Sequence, residues 1–295
     1  MINTEYCDAS SAQFINKFID VILVCRQIAE FNIKSIKDQR PMRIKVLGSS
    51  GGIGGDLRTT SLYVDDDILI DAGTGVSDLS LEELSKIDHI FITHSHLDHI
   101  TSIPFLVDTV CGMRNKPVIL YSTAETLQII KDHIFNWKIW PDFSKIPTPE
   151  TAFMAYREIR IGEPITIKGR KFTAIPAMHV VPAVGYLLDS GDTRLIFSGD
   201  TTVNDALWEI ANATTNLKYI IIETAFPNKE RDLAIASKHL CPSMLADELM
   251  KLARPVEILV THLKPGEVNL TMSEIGRHAG KWRPRMLEQG MELFL

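Results

Sequence analysis

The alternation of apolar and polar positions divides the chain from residue 43 onward into short strands and helices. Residues 43–47 (RIKVL) predict a strand, and GSSGGIGG after it predicts a flexible, turn-rich loop. Residues 61–64 (SLYV) and 67–70 (DILI) predict a hairpin closed by Asp65-Asp66, with Asp71-Ala-Gly-Thr-Gly ending its second strand. Residues 80–86 predict a short helix, because Ser80 stands at the N-cap position with Glu83 three residues on. A strand at 89–93 (HIFIT) follows, then a helical pattern, a strand at 118–122 (VILYS) and a helix over 123–135. PITIKG and KFTAIPA alternate like half-buried strands, and YLLDSGDTRLIFSGD predicts a hairpin turned at Ser190-Gly191-Asp192. Helices fit 203–212, 242–253 and 271–279, and strands fit 218–223 and 256–261. Strands in runs with helices between them predict two sheets with helices outside. Ahead of them Phe14, Phe18, Val21, Ile22 and Cys25 fall at helical spacing. Residues 1–41 therefore predict a helical N-terminal extension, docked on the domain or on a partner, and 42–295 the main domain; Met42, just before the first strong strand, is an alternative start.

Composition narrows the class. Hydrophobic residues make up 45% and charged residues 23%, enough apolar content for a sizeable buried core. The formal net charge of -6 disfavours a nonspecific nucleic-acid binder, which carries a basic face. The apolar stretch FINKFIDVILV is interrupted by Lys17 and Asp20, has no basic segment before it, and runs into CRQIAEF rather than a small-residue cleavage site. It reads against a secretory leader, and no run reaches the roughly 18 apolar residues of a membrane span. Cys7, Cys25, Cys111 and Cys241 form no CxxC pair. They read as free thiols of a reducing compartment, which predicts a cytoplasmic protein.

The candidate chemistry sits at strand ends. "ITHSHLDHI" packs His94, His96, Asp98 and His99 into six positions directly behind the strand 89–93. His179, Asp200 and His262 each follow an apolar strand in the same way. Layered folds gather their chemistry on such loops. Seven imidazoles and carboxylates suffice for two metal sites with one ligand shared, and neutral imidazole with carboxylate suits zinc, manganese or iron. In H-x-H-x-D-H the first pair, His94 and His96, can point the same way, which displaces Asp98 and His99 around the turn toward a second ion. Two ions about 3.5–4 Å apart can clamp both oxygens of a displacement at phosphorus. His89, His133 and His278 lie within or beside other elements and read as structural or solvated.

The six-residue cluster resembles the signature of the metallo-β-lactamase fold. Asp71 in "LIDAG", His179, "SGDT" around Asp200, and His262 after a strand match that family's other motifs in order, over about residues 43–295. The resemblance implies an α+β fold, a four-layer αββα sandwich with a dinuclear site at the edge of the two sheets. It implies that His94, His96 and His179 hold one metal, that Asp98, His99 and His262 hold the second, that Asp200 bridges, and that Asp71 orients a ligand from behind. It implies two divalent ions, with zinc expected and manganese or iron as alternatives.

The stretches "VLGSSGG", "HSHLDHI", "SGDT", "IIETAFPN", "SKHLCP" and "VTHLKP" together are similar to the class II cyclic-nucleotide phosphodiesterases. That family has a Gly-His-Leu stretch where this chain has Lys238-His239-Leu240, so the glycine is replaced. The resemblance implies hydrolysis of 3',5'-cyclic nucleotides such as cyclic AMP or cyclic GMP to 5'-nucleotides, by a hydroxide bridging two metals that attacks phosphorus in line. Asp98 and His239 are then the catalytic candidates. His239 would contact the phosphate or protonate the departing ribose oxygen, Lys238 would meet the phosphate, and Glu223 would support the site from behind. GSSGGIGG lacks the endings of a P-loop or a dinucleotide fingerprint, so it reads as a loop near the site or a plain turn.

Rival readings use the same residues. A tRNA 3'-processing ribonuclease of this fold would share the metal set and has a motif similar to "IETAF", but the acidic balance disfavours an RNA partner. A di-iron oxygen-binding protein of this fold tends to carry a carboxylate at the second position of the first motif, where this chain has His96. Hydrolysis of another small ester, such as a lactone, is a third option. The segment "FNWKIWPDF", with Phe135, Trp137, Trp140 and Phe143, predicts either a platform for a purine base or, with slightly more weight, rim packing and a homodimer contact.

Overall fold

In the computed structural model, residues 41–295 are described. The helix expected from Phe14 to Cys25, and the extension it belongs to, lie outside the described residues. Two seven-stranded sheets form the domain. The first runs β14 (Glu292–Phe294), β1 (Arg43–Gly48), β2 (Ser61–Val64), β3 (Ile68–Ile70), β4 (His89–Phe91), β5 (Val118–Ser122), β6 (Met154–Glu158). The second runs β13 (Arg285–Met286), β12 (Glu257–Thr261), β11 (Leu217–Glu223), β10 (Arg194–Phe197), β9 (Val184–Asp189), β8 (Arg170–Pro176), β7 (Pro164–Ile167).

The period-2 geometry of a strand explains why these segments read as unbroken apolar runs. Leu62, Val64, Ile68, Ile70 and Phe91 face the second sheet, where they meet Phe172, Tyr186, Phe197, Ile221 and Leu259. Tyr63, Leu69, Ile90 and Ile92 point the other way, into a core shared with helices that include Ile103–Val110 and Ala124–His133. On the second sheet Ile220, Ile222, Ile258 and Val260 face a third core, shared with helices that include Asp205–Ala213, Pro242–Leu249 and Val268–His278. Strands covered on both faces need apolar residues on both. Three cores between four layers make the αββα sandwich. Phe91 stitches the sheets together, stacked on Tyr121 at 4.5 Å and on Phe172 at 4.6 Å between ring centroids.

Strand direction places the site. In the first sheet β3, β4, β5 and β6 are parallel. In the second, β10, β11 and β12 are parallel, and β8 shares their direction because it is antiparallel to β9, which is antiparallel to β10. The carboxyl ends of β3, β4, β8, β10, β11 and β12 therefore gather at one edge of the sandwich.

Local expectations hold where capping and turn chemistry are explicit. The helix Leu81–Lys86 carries the reciprocal Ser80–Glu83 capping box, and Asp65-Asp66 turns the β2–β3 hairpin. The helix expected over 242–253 ends at Leu249, and that expected over 271–279 begins earlier, at Val268. The segment "FNWKIWPDF" needs a correction. Phe135 and Phe143 are buried core residues, and Trp140 packs edge-on against Phe105 at 5.3 Å, so of the four only Trp137 is exposed. Among the described residues no helix is long and apolar enough to cross a membrane.

Opposite the gathered strand ends, a buried ion cluster pins the sheets together. Arg170 of β8 donates to Asp67 Oδ1 at 2.7 Å, Asp67 Oδ2 at 3.0 Å and Asp65 Oδ2 at 2.7 Å, and Lys168 donates to Asp67 Oδ2 at 2.7 Å. Burial works to raise the Asp67 carboxyl, but Arg170 and Lys168 outweigh it and hold the group below its ordinary value. A depressed carboxyl stabilises the fold above its unfolded pKa, and that contribution is lost as pH falls through the folded value. Asp67→Asn leaves Arg170 without its main partner and is expected to lower stability at pH 7 by about 3 kcal/mol. The gap to wild type should begin to narrow below about pH 4, where Asp67 of the unfolded chain takes up its proton, and close as pH falls through the lower folded value; denaturant midpoints of both proteins from about pH 7 down into that acid range measure this.

Candidate metal centre

Six strand ends deliver the candidate residues. After β4 the chain bends at Thr93 and Ser95 and passes through His94 to His96, which stands at the N-cap position of the short helix Leu97–Ile100. Asp98 and His99 therefore sit on the first turn of a helix rather than on the expected loop. His179 follows β8, Asp200 follows β10 and His262 follows β12. Three of the turns use left-handed backbone: Asp71 at φ 56°, Gly199 at φ 60° and His262 at φ 65°. At Gly199 glycine is required twice over, since an added Cβ would also lie 2.7 Å from the Val184 carbonyl oxygen. Asp71 and His262 adopt the same region with side chains, a strain of roughly 1–2 kcal/mol each that is accepted at functional sites.

All seven expected ligands converge. His94, His96, His179 and Asp200 offer ligand atoms within 4.8 Å of one another, and Asp98, His99 and His262 form a second group by the same measure. Asp200 touches both. Its Oδ2 lies 3.6 Å from His94 Nε2, 3.4 Å from His99 Nε2 and 3.4 Å from His262 Nε2. Asp98 Oδ2 lies 3.9 Å from His99 Nε2 and 3.8 Å from His262 Nε2, while His179 Nε2 and His96 Nδ1 approach to 3.2 Å. Ligands held at about 2.0–2.1 Å from one tetrahedral ion are themselves about 3.3 Å apart. The observed separations are of that size. His94 Nε2 and His99 Nε2 are buried without a hydrogen-bond partner, so both are available as donors to an ion. The residues fit a pair of divalent cations.

Electrostatics favour the same use. Burial pushes His94 well below its ordinary value, lowers His96, brings His179 down to about 4, and brings His262 down to about 3. These four imidazoles are neutral, the form that coordinates. His99 is the exception: burial opposes its charge, but Asp200 and Asp71 outweigh burial and raise it. Burial also opposes charge on Asp200, yet the surrounding imidazoles hold its carboxyl well below the ordinary range, and with His262 neutral that role falls to His99.

Residues behind the cluster fix the rings. Asp71 accepts from Thr93 N–H at 2.8 Å, from Thr93 Oγ1–H at 2.8 Å and from His99 Nδ1–H at 2.7 Å. Thr93 Oγ1 lies 3.0 Å from His94 Nδ1. With the hydroxyl donating to Asp71, it accepts from His94 Nδ1–H, and Nε2 of both His94 and His99 is left facing the cluster. Thr93 was not expected, because at the end of a β-branched run a threonine reads simply as strand. Glu223, buried at the end of β11, accepts from His239 Nδ1–H at 2.8 Å and from Thr201 N–H at 3.1 Å. The His239 ring stacks on His262 at 5.2 Å and meets His179 edge-on at 4.9 Å, and Glu223 outweighs burial to raise its pKa. Lys238, expected to meet a phosphate, instead donates from Nζ to the His179 carbonyl oxygen at 3.0 Å. The glycine loop lies beside His262: His262 N–H donates to Ser49 O at 2.8 Å, and a Cβ on Gly51 would fall 2.4 Å from the His262 carbonyl oxygen. Lys264 Nζ, also unforeseen, donates to Gly51 O at 2.7 Å.

Comparison with known proteins gives the family and the fold. Residues 66–263 match the family model described as the beta-lactamase superfamily domain. The chain is 24% identical over 204 residues to a probable 3',5'-cyclic-nucleotide phosphodiesterase of Yersinia pestis, covering 61% of this chain and 58% of that protein. It is 29% identical over 161 residues to the ribonuclease Z of Haloarcula marismortui, covering 52% of this chain and 49% of that protein. The chain thus spans between half and three-fifths of the length of these relatives. Unliganded yeast PDE1 superposes with a TM-score of 0.74 at 19% identity, over 87% of this chain and 100% of that one, a likeness of fold.

Asp71→Ala removes the acceptor of three buried donors. Each donor left unsatisfied costs about 1–3 kcal/mol, so the variant should lose at least about 3 kcal/mol of stability. Equilibrium unfolding of the chelator-treated protein measures this apart from any bound ion.

Proposed function

Because the chain belongs to the β-lactamase superfamily, with the family match running across both sheets, we propose that it is a dinuclear-metal phosphodiesterase acting on 3',5'-cyclic nucleotides. The observation that carries the reading is Asp200, whose Oδ2 lies 3.6 Å from His94 of one ligand group and 3.4 Å from His99 and His262 of the other, with His239, grouped with Asp200 and His262 and oriented by Glu223, beside them. His94, His96 and His179 would hold one ion and Asp98, His99 and His262 the other, with Asp200 beside both groups. Two such ions, zinc by preference for this donor set and manganese or iron as alternatives, supply a water of lowered pKa and neutralise charge on phosphoryl oxygens.

The remaining steps belong to the chain. Asp98 is the more exposed of the two carboxylates, which suits it to orient the attacking water. His239 gives Nδ1–H to Glu223, which favours the charged ring; in that doubly protonated form Nε2–H contacts the phosphate and gives its proton to the departing ribose oxygen, leaving a neutral ring that keeps Nδ1–H on Glu223.

Exposed apolar residues close in sequence to the site favour a small substrate with an apolar face. Ile53, Leu97, Met178, Val180 and Val203 are exposed large apolar residues, each within three positions of a residue of the site or its glycine loop. The neighbouring cations Lys238 and Lys264 are engaged with backbone carbonyls. A nucleobase suits such residues, whereas an RNA backbone calls for free Lys and Arg. The ribonuclease Z relative supports the second reading, a tRNA-processing nuclease using the same ligands. Cys111 and Cys241 are free thiols, which suits a cytoplasmic setting.

His239→Ala is expected to lower kcat by about a hundredfold or more with metal content unchanged. Loss of metal in that variant refutes the catalytic role. A panel of cyclic AMP, cyclic GMP, bis(p-nitrophenyl) phosphate and a tRNA precursor separates the substrate readings. Cleavage of the tRNA precursor without turnover of either cyclic nucleotide would replace the first reading by the second.

A further inference from the structure

The helix Arg231–Ala236 ends in a turn that puts Lys238 in an unusual conformation. Lys238 N–H donates to Ile235 O at 3.2 Å, and His239 N–H donates to Ala234 O at 2.8 Å. This paired pattern is the Schellman motif, and its left-handed position falls on Lys238, at φ 54°. Glycine is the residue that such a position favours. A lysine is strained there, and its exposed side chain gives up free water to reach one particular group.

That group is His179. Lys238 O accepts from His179 Nδ1–H at 3.2 Å, and Lys238 Nζ donates to His179 O at 3.0 Å. The two residues hold each other at both backbone and side chain, across 59 positions of sequence. The carbonyl bond selects the tautomer that leaves Nε2 free, and Nε2 is the atom facing His96 Nδ1 at 3.2 Å. The ammonium bond fixes the backbone that carries the ring. His239 follows in the next position, so the same turn sets His239 against Glu223.

We propose that Lys238 is a positioning residue for His179, locking its ring toward the first metal position, rather than a residue that contacts substrate. The inference rests on the assignment of His179 as a metal holder. Residues supporting a metal ligand contribute tenfold or more to metal affinity.

Two variants separate ammonium from turn. Lys238→Gly keeps the carbonyl acceptor, removes the backbone strain and deletes the ammonium. Lys238→Met keeps the strain and deletes the ammonium. Chelator-treated full-length protein is titrated with Co2+ and followed by its visible absorption, with thermal unfolding of the metal-free forms in parallel. Both variants are expected to bind one of two cobalt ions about tenfold more weakly, with a shifted absorption band. Metal-free Lys238→Gly should unfold no lower than wild type, which sets the effect apart from general loss of stability. Wild-type cobalt affinity in both variants, with or without a raised KM, overturns the proposal; a raised KM assigns Lys238 to the substrate instead. His179→Ala is the control on the premise: if it still binds two cobalt ions as tightly as wild type, the metal assignment itself fails.

Discussion

A buried carboxylate surrounded by imidazoles is the constraint from which the rest follows. Asp200 is 3% exposed, and its Oδ2 lies within 3.6 Å of imidazole nitrogens of His94, His99 and His262. An anion taken out of water requires positive charge beside it. Burial holds His94 and His262 neutral, so the nearby positive charge among these rings falls to His99, which Asp71 supports from behind. Divalent cations held where these donors converge would supply the rest. The surrounding scaffold keeps the rings in place: Thr93 behind His94, Asp71 behind His99, the Lys238 carbonyl behind His179.

Much of this was legible in the sequence, for physical reasons that can be named. Strands buried on both faces are continuous apolar runs, so 61–64, 118–122 and 218–223 stood out. Ser80 and Glu83 marked a helix start by their spacing alone. The coordinating residues were readable because each directly follows such a run. What escaped was short or mixed in pattern. The edge strand β6 (MAYRE) is half exposed and carries charge, and β13 and β14 span two and three residues. The helix Arg231–Ala236 is only six residues long, yet it is the element that orients Lys238 and His239. Phe135 and Phe143 were misread because aromatics in a proline-bearing loop give no periodicity from which burial can be inferred.

Backbone conformation was the least legible level. Asp71, Lys238 and His262 all have positive φ, and none is a glycine. No pattern of residue types signals such positions, since they are imposed by tertiary contacts: Asp71 N–H held by Phe91 O, His262 N–H held by Ser49 O, Lys238 within a helix-terminal turn. The glycine that a similar family keeps at position 238 is intelligible as relief of that strain. The lysine found here trades the relief for a bond to His179.

The proposed ligands come from both sheets, so they are synthesised in widely separated stretches of the chain. His94, His96, Asp98 and His99 issue from the first sheet, His179, Asp200 and His262 from the second. A ribosome delivers the first four well before the last, so the emerging chain carries an incomplete chelating motif until residue 262 has left the exit tunnel. With that proposed set, metal loading in its final geometry waits for His262, and a truncated product lacking β12 and this histidine could offer a cation only part of its cage.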